Sequence, residues 1–226
     1  MKLTIIIPSF NEGKTLRQIV DRVWKIKLEN KELIIVDDGS SDNTQEIIAK
    51  LTPSRNIKII TNEKNLGKGA SVVKALKIAT GDIIIIQDAD LEYDPADIPK
   101  ILETFKDKKV EVVYGSRILG NNPISHWTFN LGGRLVTEIT NVLFGTNITD
   151  EPTGYKAFRA SVLKRINLKS KGFEFCPEIT AKIAKQKIKI YEVPISYKPR
   201  PLSEKKIKWQ DGIVAIFYLL KYRFVD

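Results

Sequence analysis

The 226-residue chain carries 37 Lys and Arg against 27 Asp and Glu, a formal charge of +10, and 42% of it is hydrophobic. That is enough for one sizeable core, and nothing in the length forces a second domain. A single cysteine, Cys176, excludes an internal disulfide framework. The one histidine, His126, excludes a histidine-built zinc cluster and is expected to be structural or interfacial. The excess of positive charge suits phosphates, nucleic acid or an acidic lipid surface. The N-terminus runs into Lys2-Leu3-Thr4-Ile5-Ile6-Ile7 without the layout of a signal peptide, so a reducing cytosol is the expected compartment. Near the other end, the apolar run 213–220 is far short of the roughly 20 residues that span a bilayer.

In chain order, residues 3–7, 32–36, 57–60, 82–86 and 111–114 read as short β-branched strands, and the segments between them repeat apolar residues at helical spacing. Runs such as Ile83-Ile84-Ile85-Ile86 are apolar on both faces, which suits parallel strands covered by helices. The predicted class is therefore α/β, a doubly wound, mainly parallel sheet. In the second half, residues 125–145 carry a helical pattern interrupted by Gly132-Gly133, and 173–185 a second helix with Pro177 in its first turns. Residues 188–197 read as a strand, followed by a basic linker over 198–208 and a terminal helix ending in Tyr218-Leu219-Leu220-Lys221-Tyr222-Arg223-Phe224.

Open α/β sheets bind ligands at the carboxyl ends of their strands. Three polar segments fall there: Pro8-Ser9-Phe10-Asn11-Glu12, Asp37-Asp38-Gly39-Ser40-Ser41-Asp42 and Gln87-Asp88-Ala89-Asp90. Asp88 and Asp90 follow a very apolar strand, where unpaired carboxylates are costly and a cation is expected. A hard divalent ion, Mg²⁺ or Mn²⁺, fits, because it takes one or two carboxylates and completes its shell with phosphate oxygens and water. Glu92 is a candidate third ligand. The alternative for any lone D-x-D is a helix cap. Asp37-Asp38-Gly39-Ser40 is equally open between a turn with a helix cap and a carboxylate that accepts hydrogen bonds from a nucleoside. Gly67-Lys68-Gly69-Ala70 opens a helix, where glycines let the backbone approach a ligand and Lys68 adds charge. Neither G-x-G-x-x-G after the first strand nor G-x-x-x-x-G-K-[ST] is present, against a dinucleotide dehydrogenase and a P-loop NTPase, and no G-x-S-x-G elbow supports a hydrolase.

In this order and spacing, Pro8-Ser9-Phe10-Asn11-Glu12, Val36-Asp37-Asp38-Gly39-Ser40-Ser41-Asp42-Asn43-Thr44, Leu66-Gly67-Lys68-Gly69 and Asp88-Ala89-Asp90 resemble the family 2 glycosyltransferases of GT-A fold. Gly115-Ser116-Arg117, Asp150 with Thr153-Gly154-Tyr155-Lys156, and Gly172-Phe173-Glu174-Phe175 are similar to the dolichyl-phosphate mannosyltransferase subgroup. The resemblance implies a GT-A domain over residues 1–197, with the basic linker and amphipathic helix of 198–226 part of the same unit. It implies that Pro8, Asn11, Glu12, Asp37 or Asp38 and Lys68 hold the nucleoside, and that Asp88, Ala89 and Asp90 handle metal and diphosphate. Arg117, Arg134, Thr137 and Arg200 correspond to groups that receive an acceptor phosphate, with Asp90, Arg117 and Arg134 as the catalytic set. Two departures stand out: Glu92 replaces a glutamine common in the archetypal mannosyltransferases, and Pro201-Leu202-Ser203-Glu204-Lys205-Lys206 replaces their Gly-x-Ser-Lys pattern.

The implied reaction is inverting transfer of a hexose from a nucleotide diphosphate sugar, of GDP-mannose or UDP-glucose type, to a polyprenyl phosphate. A phosphate acceptor is already ionised at neutral pH and needs positioning rather than a base. The alternative acceptor, a saccharide hydroxyl, needs one, with Asp150 or Glu178 as candidates. Lys198, Arg200, Lys205, Lys206 and Lys208 could close over two phosphate-bearing substrates or form a solvated linker. The helical stripe Trp209, Ile213, Ile216, Phe217, Leu220 and Phe224, flanked by Lys205, Lys206, Lys208, Lys221 and Arg223, fits a membrane interface or the protein core. Trp127, Phe129, Leu131, Leu135 and Val136 either frame a lipid entrance or fill the core. A peripheral site at the cytoplasmic membrane face is the expectation. A basic nucleic-acid-binding module is the rival from another class, weakened by three acidic clusters at the ligand edge; a pseudoenzyme scaffold is a third.

Overall fold

A computed structural model describes residues 1–51, 56–123, 127–201, 203, 205–207 and 209–225. His126, Leu202, Glu204 and Lys208 lie outside the described residues. The strands are β1 (Leu3–Ser9), β2 (Lys31–Asp37), β3 (Ile57–Thr61), β4 (Ile83–Ile86), β5 (Val112–Ser116), β6 (Lys156–Arg159) and β7 (Ile190–Pro194). The helices are α1 (Leu16–Lys25), α2 (Thr44–Ala49), α3 (Lys68–Leu76), α4 (Ile98–Thr104), α5 (Trp127–Phe144), α6 (Ala160–Arg165), α7 (Phe175–Lys185) and α8 (Trp209–Phe224). They form one sheet in the order β3-β2-β1-β4-β6-β5-β7.

The apolar runs become the centre of this sheet, as expected for strands covered on both faces. Ile5 and Ile7 of β1, Leu33 and Ile35 of β2 and Ile83 and Ile85 of β4 pack against α1 and α4 in one core. Ile6, Ile34, Val36, Ile84 and Ile86 face the other way, against Val72 and Ala75 of α3 and Phe175, Ile179 and Ile183 of α7. Parallel pairing sets Ser9 beside Asp37, which brings the two polar loops to one edge.

The sequence pattern did not single out β6. It runs antiparallel between β4 and β5, with Ala157 paired to both Ile85 and Val113. Its Lys156 is only 1% exposed. The ammonium is tolerated there because it donates to the Glu151 carbonyl at 2.5 Å and lies 3.7 Å from the centre of the Tyr114 ring. Insertion of β6 separates β4 from β5 and lets the 150–155 segment pass across the ligand edge.

The Gly132-Gly133 pair does not break α5, which continues to Phe144. Helix α8 packs against α5 and α7 through buried Leu219 and Tyr222, while Trp209, Ile213, Phe217, Leu220 and Phe224 remain exposed. Its apolar residues therefore divide between core contact and open surface. Among the described residues no helix is long and apolar enough to cross a membrane.

Candidate active site

The first two loops are stitched together by Asn11. Its amide oxygen accepts the Ser41 N–H at 2.8 Å, and its own N–H donates to Ser40 Oγ at 2.9 Å, with Asn11 in the left-handed region at φ 51. Asp38 is fully committed to the neighbouring loop. It accepts Asn62 Nδ2 at 2.7 Å, the Leu66 N–H at 2.9 Å and the Gly67 N–H at 2.7 Å. Asp37 differs: one oxygen accepts the Ser40 N–H at 3.2 Å, and the other is buried without a hydrogen-bond partner, as is Ser9 Oγ. Of the two aspartates, Asp37 keeps an acceptor to offer.

The glycines around Lys68 serve a purpose other than the expected approach to a ligand. A Cβ on Gly67, at φ 96, would lie 2.4 Å from the Lys171 carbonyl oxygen, and one on Gly69 2.5 Å from that of Ser170. The Gly69 and Ala70 N–H groups are taken by the carbonyls of Gly172 and Lys171. The start of α3 is thus packed against the 170–172 backbone, and Lys68 alone faces the site, with Nζ 2.5 Å from Asp88 Oδ1. Burial, the largest single influence, would lower the pKa of its ammonium, but the charge and hydrogen bond of Asp88 with the charges of Cys176 and Asp90 together hold it above the usual value.

Asp90 lies across from this pair. Its Oδ1 accepts the Glu92 N–H at 3.1 Å and its Oδ2 the Arg200 guanidinium at 2.7 Å. Burial first, then the neighbouring Asp88 charge, pushes its carboxyl up to about 7, against the pull of Arg200. Ala89 between the two points into the core, 3% exposed. Glu92, the expected third metal ligand, holds the C-terminal segment instead: its Oε1 accepts the Tyr197 hydroxyl at 3.1 Å and the Arg200 N–H at 2.8 Å. Among the described residues no three His, Cys, Asp or Glu side chains converge as a ready-made metal cage. Two neighbouring acids, Asp88 and Asp90, with the Asp88 charge raising the proton affinity of Asp90, still fit a hard cation that draws its other ligands from phosphate and water.

Arg117, after β5, is aimed by Asp150. Nε and Nη2 bond the two carboxylate oxygens at 2.8 and 2.7 Å, and the Arg117 N–H adds a third bond at 2.8 Å. The Arg117 guanidinium lies 5.2 Å from the Tyr197 ring centre. The chain Arg117, Tyr197, Glu92, Arg200, Asp90 thus joins the end of β5 to the end of β4. Tyr197 and Tyr93, whose rings stand 5.4 Å apart, were missed from sequence; their only signal was an aromatic beside each charged segment. Arg134 is exposed on α5, whereas Thr137 is buried, donating to the Gly133 carbonyl and accepting the Glu151 N–H. Pro8 is the half-buried penultimate residue of β1. Glu178 accepts the Lys169 and Ser170 N–H groups and pairs with Lys182 at 2.8 Å. Both carboxylates considered as bases, Asp150 and Glu178, are therefore engaged.

Residues 4–166 match the family described as Glycosyl transferase family 2. A dolichol-phosphate mannosyltransferase of Pyrococcus furiosus is 31% identical, over 98% of this chain and 64% of its own length. A UDP-N-acetylglucosamine–dolichyl-phosphate N-acetylglucosaminyltransferase of Methanococcus voltae is 35% identical, over 84% of this chain and 83% of its own. A low-salt glycan biosynthesis hexosyltransferase of Haloferax volcanii is 28% identical, over 96% and 53%. The chain thus spans less than two thirds of the Pyrococcus and Haloferax relatives. Glucosyl-3-phosphoglycerate synthase of Mycobacterium tuberculosis, solved with Mn²⁺, UDP and glucosyl-3-phosphoglycerate, superimposes with a TM-score of 0.77 over 100% of this chain and 81% of that one, at 18% identity. The shared architecture is the GT-A fold, and with the family match covering most of its sheet the chain belongs to glycosyl transferase family 2.

Proposed function

We propose that the chain is an inverting glycosyltransferase that moves a hexose from a nucleotide diphosphate sugar to a polyprenyl phosphate. The observation that carries this reading is the pairing of a dicarboxylate site, Asp88 and Asp90, with a fixed cation, Arg117, across Tyr197, while Asp150 is committed to holding Arg117 and Glu178 to the 169–170 backbone. An acceptor that arrives ionised needs a cation to position it and no base. Asp37 and Asn11 hold the nucleoside end, and Lys68 faces the phosphates. Mg²⁺ or Mn²⁺ at Asp88 and Asp90 would screen the charge of the departing diphosphate. Arg117, held rigid by Asp150, sets the acceptor phosphate in line with the anomeric carbon, and exposed Arg134 adds charge at the approach.

The same reading gives the exposed apolar rows a use. Trp127, Leu131 and Leu135 recur every four residues on α5, and Trp209, Ile213, Phe217, Leu220 and Phe224 every three or four on α8, which packs against it. With Lys221 and Arg223 beside them they form an interfacial face that rests on the cytoplasmic leaflet, where a lipid acceptor resides. The deciding experiment offers purified protein labelled GDP-mannose, UDP-glucose and UDP-N-acetylglucosamine, with polyprenyl phosphate or with oligosaccharide acceptors. Label that partitions into organic solvent only with polyprenyl phosphate supports the proposal; label on the oligosaccharide alone refutes it.

A further inference from the structure

The Arg200 guanidinium lies between two carboxylates of the ligand edge. Nη2 is 2.7 Å from Asp90 Oδ2 and Nη1 is 3.3 Å from Glu12 Oε1, so one side chain ties the loop after β4 to the loop after β1. Its N–H is committed to Glu92, and its Nε is buried with no hydrogen-bond partner. Lys206 extends the strap, with Nζ 2.8 Å from Glu12 Oε1 and a further bond to the Phe10 carbonyl. Lys68 closes the set by pairing with Asp88. Both aspartates of the site therefore carry a cation that belongs to the chain itself.

A divalent cation on Asp90 and a guanidinium at its present distance exclude each other. They carry like charge, and the guanidinium sits directly on Oδ2, while Oδ1 accepts the Glu92 N–H and has a single lone pair left to offer. We infer that Arg200 is a resident counter-ion, exchanged for the metal only when a diphosphate arrives, so that cation and nucleotide bind as a coupled pair. The inference rests on the donor-site reading above. Metal alone must break the Asp90–Arg200 pair and leave a partly buried guanidinium without its anion, which is costly. A diphosphate removes that cost, because its oxygens accept the guanidinium bonds that Asp90 gives up. By linkage, each ligand then raises the affinity of the other by the same factor. Lys206, paired with Glu12, adds to the hold of the strap without touching Asp90.

The test is Mn²⁺ binding to the full chain, read from the electron paramagnetic resonance of the free ion, alone and with GDP or UDP. Wild type is expected to bind Mn²⁺ weakly alone and about tenfold or more tightly with one of the two nucleotides, a coupling within the usual range. Arg200→Met and Arg200→Gln, checked for native circular dichroism, are expected to bind Mn²⁺ alone about tenfold more tightly than wild type, with the nucleotide coupling reduced to match. Lys206→Met should move both quantities in the same direction by less. Asp90→Asn should abolish binding in every background, which places the ion at this site. Unchanged Mn²⁺ affinity in both Arg200 variants, with wild type still coupled to nucleotide, overturns the counter-ion role alone. Failure of wild type to bind Mn²⁺ with either nucleotide overturns the donor-site reading along with it.

Discussion

Replacing Asp150 with Asn tests how strongly the structure holds Arg117. The Asp150 side chain is 3% exposed and accepts three bonds from one residue, the Arg117 N–H, Nε and Nη2. An amide keeps one acceptor oxygen, so the two-pronged geometry is lost and a guanidinium that is only 25% exposed loses its counter-charge. Breaking a buried pair from one side costs about 3–5 kcal/mol, and the partial hydration of Arg117 puts this case near 3. For a chain of this size roughly 2–4 °C of Tm accompanies each kcal/mol, so Asp150→Asn should melt roughly 6–12 °C below wild type. Urea denaturation of wild type, Asp150→Asn, Arg117→Met and the double variant closes a cycle that isolates the pair. A loss below about 0.5 kcal/mol in Asp150→Asn, the level of an ordinary surface substitution, would refute the claim that Asp150 fixes Arg117. In the transfer assay the same variant should raise KM for polyprenyl phosphate while leaving KM for the donor near wild type.

Asp90→Ala should abolish sugar transfer with the fold retained, and transfer at the wild-type rate by that variant would remove the donor site from these loops. Gly67→Ala should destabilise the chain by about 1–3 kcal/mol in urea denaturation, because the new Cβ meets the Lys171 carbonyl at a φ of 96; an unchanged midpoint would show that the contact relaxes freely. Glu32 predicts the acid limb of stability. Burial would raise its carboxyl, but hydrogen bonds from Thr4, Thr80 and Lys58 outweigh burial and bring it down to about 2. A depressed pKa contributes stability above the unfolded value of about 4.3 and loses it as pH falls toward the folded value. Glu32→Gln should therefore lower the urea midpoint at neutral pH and flatten its decline between about pH 4 and 2; parallel pH curves for the two proteins would contradict this. On the surface, Trp209→Glu with Phe217→Glu should cut flotation with anionic vesicles several-fold at unchanged Tm, and undiminished flotation would place membrane contact elsewhere.

The sequence by itself determined the centre of the sheet and the place of the acidic loops. Ile83-Ile84-Ile85-Ile86 is apolar on both faces and has to be covered twice, which puts Asp88 and Asp90 at a strand's carboxyl end wherever the rest of the chain goes. The order of the motifs was enough to point to the family. What tertiary structure decided were the pairings between residues distant in sequence. Arg200 meets Asp90 across 110 positions, and Glu92 meets the Arg200 N–H across 108. No local pattern encodes such a contact, because each partner is an ordinary charged residue in its own segment. Strand β6 was hidden for the same reason: it begins and ends on a cation, Lys156 and Arg159, whose charges are received by Tyr114 and by the carbonyls of Glu151, Phe105 and Val110 from other segments. The glycines beside Lys68 showed the converse, a local pattern whose cause lies in the 170–172 backbone that packs against them. Hydrophobic periodicity is set by neighbours along the chain, whereas a charge is tolerated or used according to what the folded chain brings to it.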